Sequence, residues 1–223
     1  MSQEYENIPA PEAEPSSVEN ASDAPAPAGE KTGRNKWAVS ALEWLELFVV
    51  SLSAVLLVIT FIIRHSPVNG LSMYDTLNAD FAQDGKTADI LLVSDLFYTP
   101  ERGDIIVVQS AKYGYDTPLV KRIIAKGGDT LDIDFDTWTV TVNGEVLDED
   151  YVTHQAGVSM RSYLNGFQYP LTIPEGYLFV MGDNRNGSTD SRDRVHIGLV
   201  DERLIVGHVL YRIYPFNRIG VPE

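Results

Sequence analysis

With 223 residues the chain has room for one sizeable domain and short appendages. A formal net charge of -15, from 17 Lys and Arg against 32 Asp and Glu, argues against a nucleic-acid partner recognised through its phosphates. Cysteine is absent, which removes disulfides, zinc–cysteinate sites and cysteine nucleophiles together.

Residues 1–36 read as a disordered acidic tail. Their first 30 positions hold Glu4, Glu6, Glu12, Glu14, Glu19, Asp23 and Glu30, five prolines, and no Lys or Arg. Such a segment buries too little apolar area to offset its ordering entropy. A small basic cluster follows, Lys31, Arg34 and Lys36. Residues 37–64 then read as one transmembrane helix. The solidly apolar part is Leu47–Ile63, and Trp44 and Leu45 extend it to spanning length, with Trp37 and Trp44 suited to the headgroup level. No small-x-small cleavage triplet follows the apolar core, so an uncleaved anchor fits better than a signal peptide. The basic cluster predicts that the amino-terminal side is cytoplasmic and that everything after Arg64 is extracytoplasmic.

From residue 65 the pattern changes to short β-type runs separated by turn residues. The runs are Ile90–Val93, Asp104–Gln109, Leu119–Ala125, Thr137–Val142, Tyr177–Met181 and Leu204–Tyr214. Asn143-Gly144 between Val142 and Glu145 is a strong hairpin turn signal. The fold class expected for residues 65–223 is all-β: a large twisted barrel or sheet, with a hairpin insertion at about 130–176.

Three stretches could carry chemistry. The first is Gly70-Leu71-Ser72-Met73-Tyr74-Asp75-Thr76-Leu77. A serine hydroxyl needs a base to become a nucleophile. His65, His154, His196 and His208 lie in no motif with a serine and an acid, and none shows metal-ligand spacing, so neither a histidine triad nor a metal or other cofactor is expected. Lysine is the alternative base, if its amine is neutral. Bringing such an amine from about 10.4 to about 7 costs roughly 4.6 kcal/mol, which only burial among apolar groups supplies. The second stretch, Pro118-Leu119-Val120-Lys121-Arg122-Ile123-Ile124, permits this, because Leu119 and Ile123 share the face of Lys121 on a strand. The third, Gly182–Arg192, crowds Asp183, Arg185, Asp190 and Arg192 directly behind an apolar strand. Asp183 and Asp190 could pair with Arg122 there, and a hydroxyl such as Ser188 could orient a lysine amine. Taken singly, each stretch has a plainer reading: a turn serine, a surface lysine, and a solvated charged loop.

The ordered set is more specific. Ser72-Met73 with Thr76-Leu77, Gly103-Asp104-Ile-Ile-Val-Val, Val120-Lys121-Arg122-Ile123-Ile124, Gly128-Asp129, and Gly182-Asp-Asn-Arg185 with Ser188 and Asp190-Ser-Arg192 resemble the successive boxes of the type I signal peptidases, over roughly residues 40 to 215. The resemblance implies a β-structured, membrane-anchored serine endopeptidase that removes signal peptides from exported preproteins after small-x-small, typically Ala-x-Ala, sites. It implies Ser72 as nucleophile, with its amide as oxyanion donor, and Lys121 as general base. It further implies Ser188 as the hydroxyl that orients the lysine, Asp190, Arg192 and Arg122 as an ionic scaffold, and Met73 as a residue near the substrate pocket. The partners implied are signal peptides and the lipid bilayer of the cell membrane, with the secretion translocon as a further one.

Three positions depart from the family pattern. Asp75 stands where proline is usual, Gly70 where some members carry a Ser or Thr donor, and Asn186-Gly187 where Asp-Asn is common. Gly70 matches the Gram-positive branch. Two other readings remain at this point. One is a soluble-type serine–lysine autoprotease, which would cut itself. The other is a silent membrane-anchored binding module, motivated by Asp75.

Overall fold

The computed structural model describes residues 36–62, 64–74, 76–78 and 88–222. The expected acidic tail, apart from Lys36, and the departure at Asp75 lie outside the described residues.

Helix α1 spans Lys36–Ile62, 27 residues, of which Trp37–Val58 is long and apolar enough to cross a membrane. At 1.5 Å per residue it exceeds the roughly 30 Å hydrocarbon layer. Trp44, Leu47, Phe48, Val49, Leu52, Val55 and Leu56 are all exposed. Two hydroxyls in it bond back to the preceding turn, Ser51 Oγ to Phe48 O at 2.9 Å and Thr60 Oγ1 to Leu56 O at 2.7 Å. That leaves little polar surface for lipid to disfavour.

The remainder is β-structure joined by loops and short 3-10 turns. The strands are β1 (Arg64–Pro67), β2 (Ile90–Ser94), β3 (Ile105–Val108), β4 (Leu119–Lys126), β5 (Thr130–Asp134), β6 (Thr139–Val142), β7 (Glu145–Val146), β8 (Leu171–Thr172), β9 (Tyr177–Met181), β10 (Val200–Asp201) and β11 (Ile205–Tyr214). A seven-stranded sheet has the order β1-β2-β11-β3-β4-β9-β10, and a four-stranded sheet the order β7-β6-β5-β8. Every pairing is antiparallel. The second sheet comes wholly from residues 130–172. Its hairpin turns at Asn143 (φ 55°) and Gly144 (φ 85°), the double left-handed geometry that an Asn-Gly pair accepts readily.

The large sheet is covered on both faces, which explains why its central strands read as unbroken apolar runs. Along β3, Ile105 and Val107 enter one cluster, with Val68, Met73, Leu77, Leu91, Val93, Val120 and Val209. Ile106 and Val108 enter another, with Ile123, Leu178, Val180, Ile197 and Val200. A third cluster packs Leu131, Ile133, Val140 and Val142 of the second sheet against Ile124, Phe179 and Met181 of β4 and β9. Strand β4 is therefore buried throughout except at its ends. A lysine in its middle cannot reach bulk water without moving the core.

Candidate active site

Lys121 faces Ile106 across the β3–β4 pair and is only 2 % exposed. Its Nζ lies 2.7 Å from Ser72 Oγ and 3.0 Å from the carbonyl of Val120. Burial pulls its ammonium down to about 8 from an ordinary 10.5, against the opposing pull of the Asp190 and Asp183 carboxylates. As the ammonium, Nζ donates to Ser72 Oγ. Once neutral, it can accept the serine proton.

The serine loop is held at several points. Tyr74 N donates to Leu71 O and Leu77 N to Met73 O, which closes a helical turn around the serine. Gly70 has φ +87°, a conformation an L side chain would strain, while the space about it is open. The carbonyl of Ser72 accepts the Asn184 amide at 3.0 Å, and Asn184 Nδ2 donates to Leu71 O at 3.0 Å. Gly182 is tight for another reason. A Cβ there would overlap both the Ser72 carbonyl and Ser188 Oγ. The first and third stretches thus meet over a residue with no side chain.

Two ion pairs fix the third stretch. Arg122 grips Asp183 with both branches, Nε to Oδ1 at 3.0 Å and Nη2 to Oδ2 at 2.8 Å, and Asp183 Oδ2 accepts from Thr76 Oγ1 at 2.7 Å. Arg192 grips Asp190 in the same way at 2.8 Å for each bond, and Gly182 N donates to Asp190 Oδ2 at 3.1 Å. Burial alone would raise the Asp190 carboxyl; the Arg192 guanidinium and the bonds to it outweigh that and hold it below its ordinary range. Of the two acids expected at Arg122, only Asp183 pairs with it, because Asp190 is already taken by the guanidinium two residues on.

The structure places two expected residues differently from a direct reading of their roles. Ser188 Oγ is buried and makes no hydrogen bond to Lys121; the group it serves is the Asp190 carboxylate, which it helps to hold below its ordinary range. It stands beside Gly182, next to the dyad. The Met73 side chain, 1 % exposed, lies in the core cluster beneath the serine loop and not at an open surface.

Sequence reading missed a further buried pair. Arg185 donates to Glu149 through Nη1 at 2.9 Å and Nη2 at 2.5 Å, and Tyr151 Oη donates to Glu149 Oε1 at 2.9 Å. The Arg122 guanidinium stacks 3.9 Å over the Tyr151 ring. An acid in an Asp/Glu-rich stretch after a hairpin gives no sign that it will be buried. The histidines contribute elsewhere: His196 pairs with Asp193 at 2.7 Å, His208 stacks on Tyr98, and His154 on Trp138. Among the described residues no group of three or more His, Asp or Glu gathers as metal ligands would.

A loop serine whose hydroxyl meets a desolvated lysine amine is the side-chain arrangement of a serine hydrolase. The comparisons narrow the class. The family model described as "Signal peptidase, peptidase S26" matches residues 41–214, and the chain belongs to this family and is a serine endopeptidase. Signal peptidase I T of Bacillus subtilis is 34% identical over 198 residues, covering 85% of this chain and 93% of that one. Signal peptidase IB of Staphylococcus aureus is 32% identical over 186 residues, covering 79% and 91%. A solved signal peptidase I from Enterococcus faecalis, 31% identical, covers 50% of this chain and 97% of its own with a TM-score of 0.41.

Proposed function

We infer that the chain removes signal peptides from preproteins, and that Ser72 and Lys121 form the Ser/Lys dyad that does so. The single observation that carries the dyad is the 2.7 Å approach of a buried amine to the serine hydroxyl. Ser72 Oγ attacks the scissile carbonyl carbon as its proton passes to Lys121 Nζ. The oxyanion develops within reach of the Ser72 amide, since Gly70 offers no side-chain donor. The ammonium then protonates the leaving amine, which breaks the peptide bond and leaves an acyl-enzyme on Ser72. Lys121, neutral again, takes a proton from water as the water oxygen attacks the ester carbon, and returns that proton to Ser72 Oγ as the acyl–oxygen bond breaks, so the serine and the neutral amine are both restored. Asp183, Asp190, Arg122 and Arg192 hold the third stretch against this dyad. Ser188 orients the amine after a rotation about its side chain, and Met73 supports the pocket floor from within the core.

The cut follows small-x-small, Ala-x-Ala, sites. Residues 1–36 form a cytoplasmic tail, 37–64 a single-pass anchor in the cell membrane, and 65–223 an extracytoplasmic catalytic domain. The lipid bilayer and the secretion translocon are its partners there. The membrane helix and the basic Lys31, Arg34 and Lys36 before it support this placement.

The test is cleavage of a preprotein bearing an Ala-x-Ala site by the purified full chain in detergent or lipid. Ser72→Ala and Lys121→Ala are each expected to lower kcat by at least ~10^3-fold with the fold intact. Retention of most activity by Lys121→Ala would overturn the dyad.

A further inference from the structure

The carbonyl of Thr76, four residues past the nucleophile, is gripped by two guanidiniums from the carboxy-terminal end of the chain. Arg212 Nη1 donates to it at 3.0 Å and Arg218 Nη2 at 3.2 Å. Both arginines are gathered by Asp89, whose side chain is fully buried. Arg212 Nη1 lies 3.1 Å from Asp89 Oδ2 and Arg218 Nη1 3.5 Å from Oδ1. Arg212 Nε also donates to the Arg218 carbonyl at 2.6 Å, and Arg212 and Gly220 exchange backbone hydrogen bonds. The end of β11 and residues 215–220 are thereby folded into one unit. Asp89 serves the same loop directly, accepting from Asn78 N at 3.0 Å, while its own amide donates to Asn78 O.

Thr76 is therefore held on two sides. Its hydroxyl is bonded to Asp183, and so through Arg122 to the strand that carries Lys121. Its carbonyl is bonded to the carboxy-terminal arginines. The turn closed by Leu77 N on Met73 O passes the position of Thr76 back to Ser72. The family match ends at residue 214, so Arg218 lies beyond it. We propose that Arg212 and Arg218, gathered on the buried Asp89, form a carboxy-terminal strap that positions the Ser72 loop against Lys121, so that both arginines are positioning residues for the peptidase reaction. This rests on the dyad reading above.

A displacement of about 1 Å at a nucleophile costs on the order of 100-fold. Arg218→Ala, in the full membrane-inserted chain, is expected to lower kcat 10- to 100-fold with KM nearly unchanged. It is also expected to raise the pH midpoint of kcat/KM, because a loosened serine loop admits water to the Lys121 amine. The Asp183 and Asp190 carboxylates that also face that amine are left in place by the change. Partial unfolding alone would scale the rate with the folded fraction, read by circular dichroism, and leave the midpoint where it was; that result overturns the strap. Arg218→Lys, which keeps a charge against Asp89 and one donor for Thr76, is expected to recover most of both readouts, and no recovery would count against the strap. Should Arg218→Ala fail to fold, Arg218→Gln is read on the same two axes, with a smaller change in the same directions expected and no change overturning the idea. Lys121→Ala run alongside separates the two readings. If it is inactive while Arg218→Ala has wild-type kcat and midpoint, the strap alone fails. If it is active, the dyad itself is wrong.

Discussion

An ammonium enclosed by Ile106, the Val120 carbonyl and a serine hydroxyl has lost most of its hydration, and burial is what brings Lys121 to about 8. Two consequences share this cause. The reaction needs the neutral amine, so kcat/KM should rise about tenfold per pH unit below a midpoint near 8 and level off above it. The groups facing the amine are Asp183 and Asp190, each paired with an arginine, so the midpoint is assigned to Lys121. A profile flat from pH 6 to 9 would contradict the assignment. The second consequence is in stability. The folded-state value lies below the unfolded 10.5, so between about 8 and 10.5 the unfolded chain holds the extra proton and stability rises with pH. Below about 8 the folded protein carries the full cost of the buried charge, roughly 3 kcal/mol. Lys121→Met should remove that cost, so the inactive variant should be more stable than wild type at pH 7 by up to about that amount, with no rise above pH 8. Urea unfolding of both proteins at pH 7 and 10 measures this, and a less stable Lys121→Met at pH 7 would refute it. The approach of Ser72 to Lys121 was legible in the order of the motifs. Which acid serves Arg122 was not: Asp183 and Asp190 are equivalent as letters, and only the turn after β9 aims the first at Arg122 and the second at Arg192.

Strand elements were legible where a run of apolar or β-branched residues is bounded by turn residues, whether both faces are buried, as in β3 and β4, or only one, as in β6. Tyr177–Met181 is bounded as its apolar run suggests, and β2, β3, β4, β6 and β11 differ from their runs by a residue or two at an end. β1, β8 and β10 gave no signal. β1 is Arg-His-Ser-Pro and is held by backbone pairing to β2, and the other two are two residues long. β5, Thr-Leu-Asp-Ile-Asp, alternates exposed and buried with period two, a usable signal hidden by its acidic exposed face. The contribution of the second sheet to the site was illegible for a related reason, since it acts through Glu149, just past β7. Among the described residues Glu149 is the one carboxylate paired with Arg185, and the Arg185 carbonyl accepts from Arg192 Nη2 at 2.6 Å. Glu149→Ala strands a buried guanidinium, so it should cost about 3–5 kcal/mol of stability. Because Arg192 and Asp190 lean on the same segment, kcat should fall with it at temperatures where the variant is still folded. Denaturant unfolding and cleavage kinetics on one preparation check both. A loss below about 1 kcal/mol would mean that water takes the place of the carboxylate.

At the scale of the whole molecule, the acidic excess, the missing cysteines and the apolar helix describe one design problem. The chain must place a soluble β-structure beside a bilayer. Its charge is set against nonspecific attraction to anionic lipid, so attachment falls to α1, whose apolar side chains are exposed along its length. Lys31, Arg34 and Lys36 precede that helix, and Arg64 and His65 follow it, so the charge asymmetry favours the amino-terminal side as cytoplasmic by a modest margin. The absence of native cysteine makes the orientation directly measurable, because any thiol placed in the chain is the sole target for a maleimide. Ser17→Cys marks the tail and Ser162→Cys an exposed position in the β-structured part. In intact cells expressing each variant, a membrane-impermeant maleimide should label Ser162→Cys and leave Ser17→Cys unlabelled until the membrane is permeabilised. Labelling with the opposite preference would put the dyad on the side where exported substrates never emerge, and labelling of both without permeabilisation would mean that α1 does not span the membrane. The basic cluster supplies the bias, so replacing Lys31, Arg34 and Lys36 together by Gln should raise the fraction of Ser17→Cys labelled from outside, while the same change made at Arg64 should lower it.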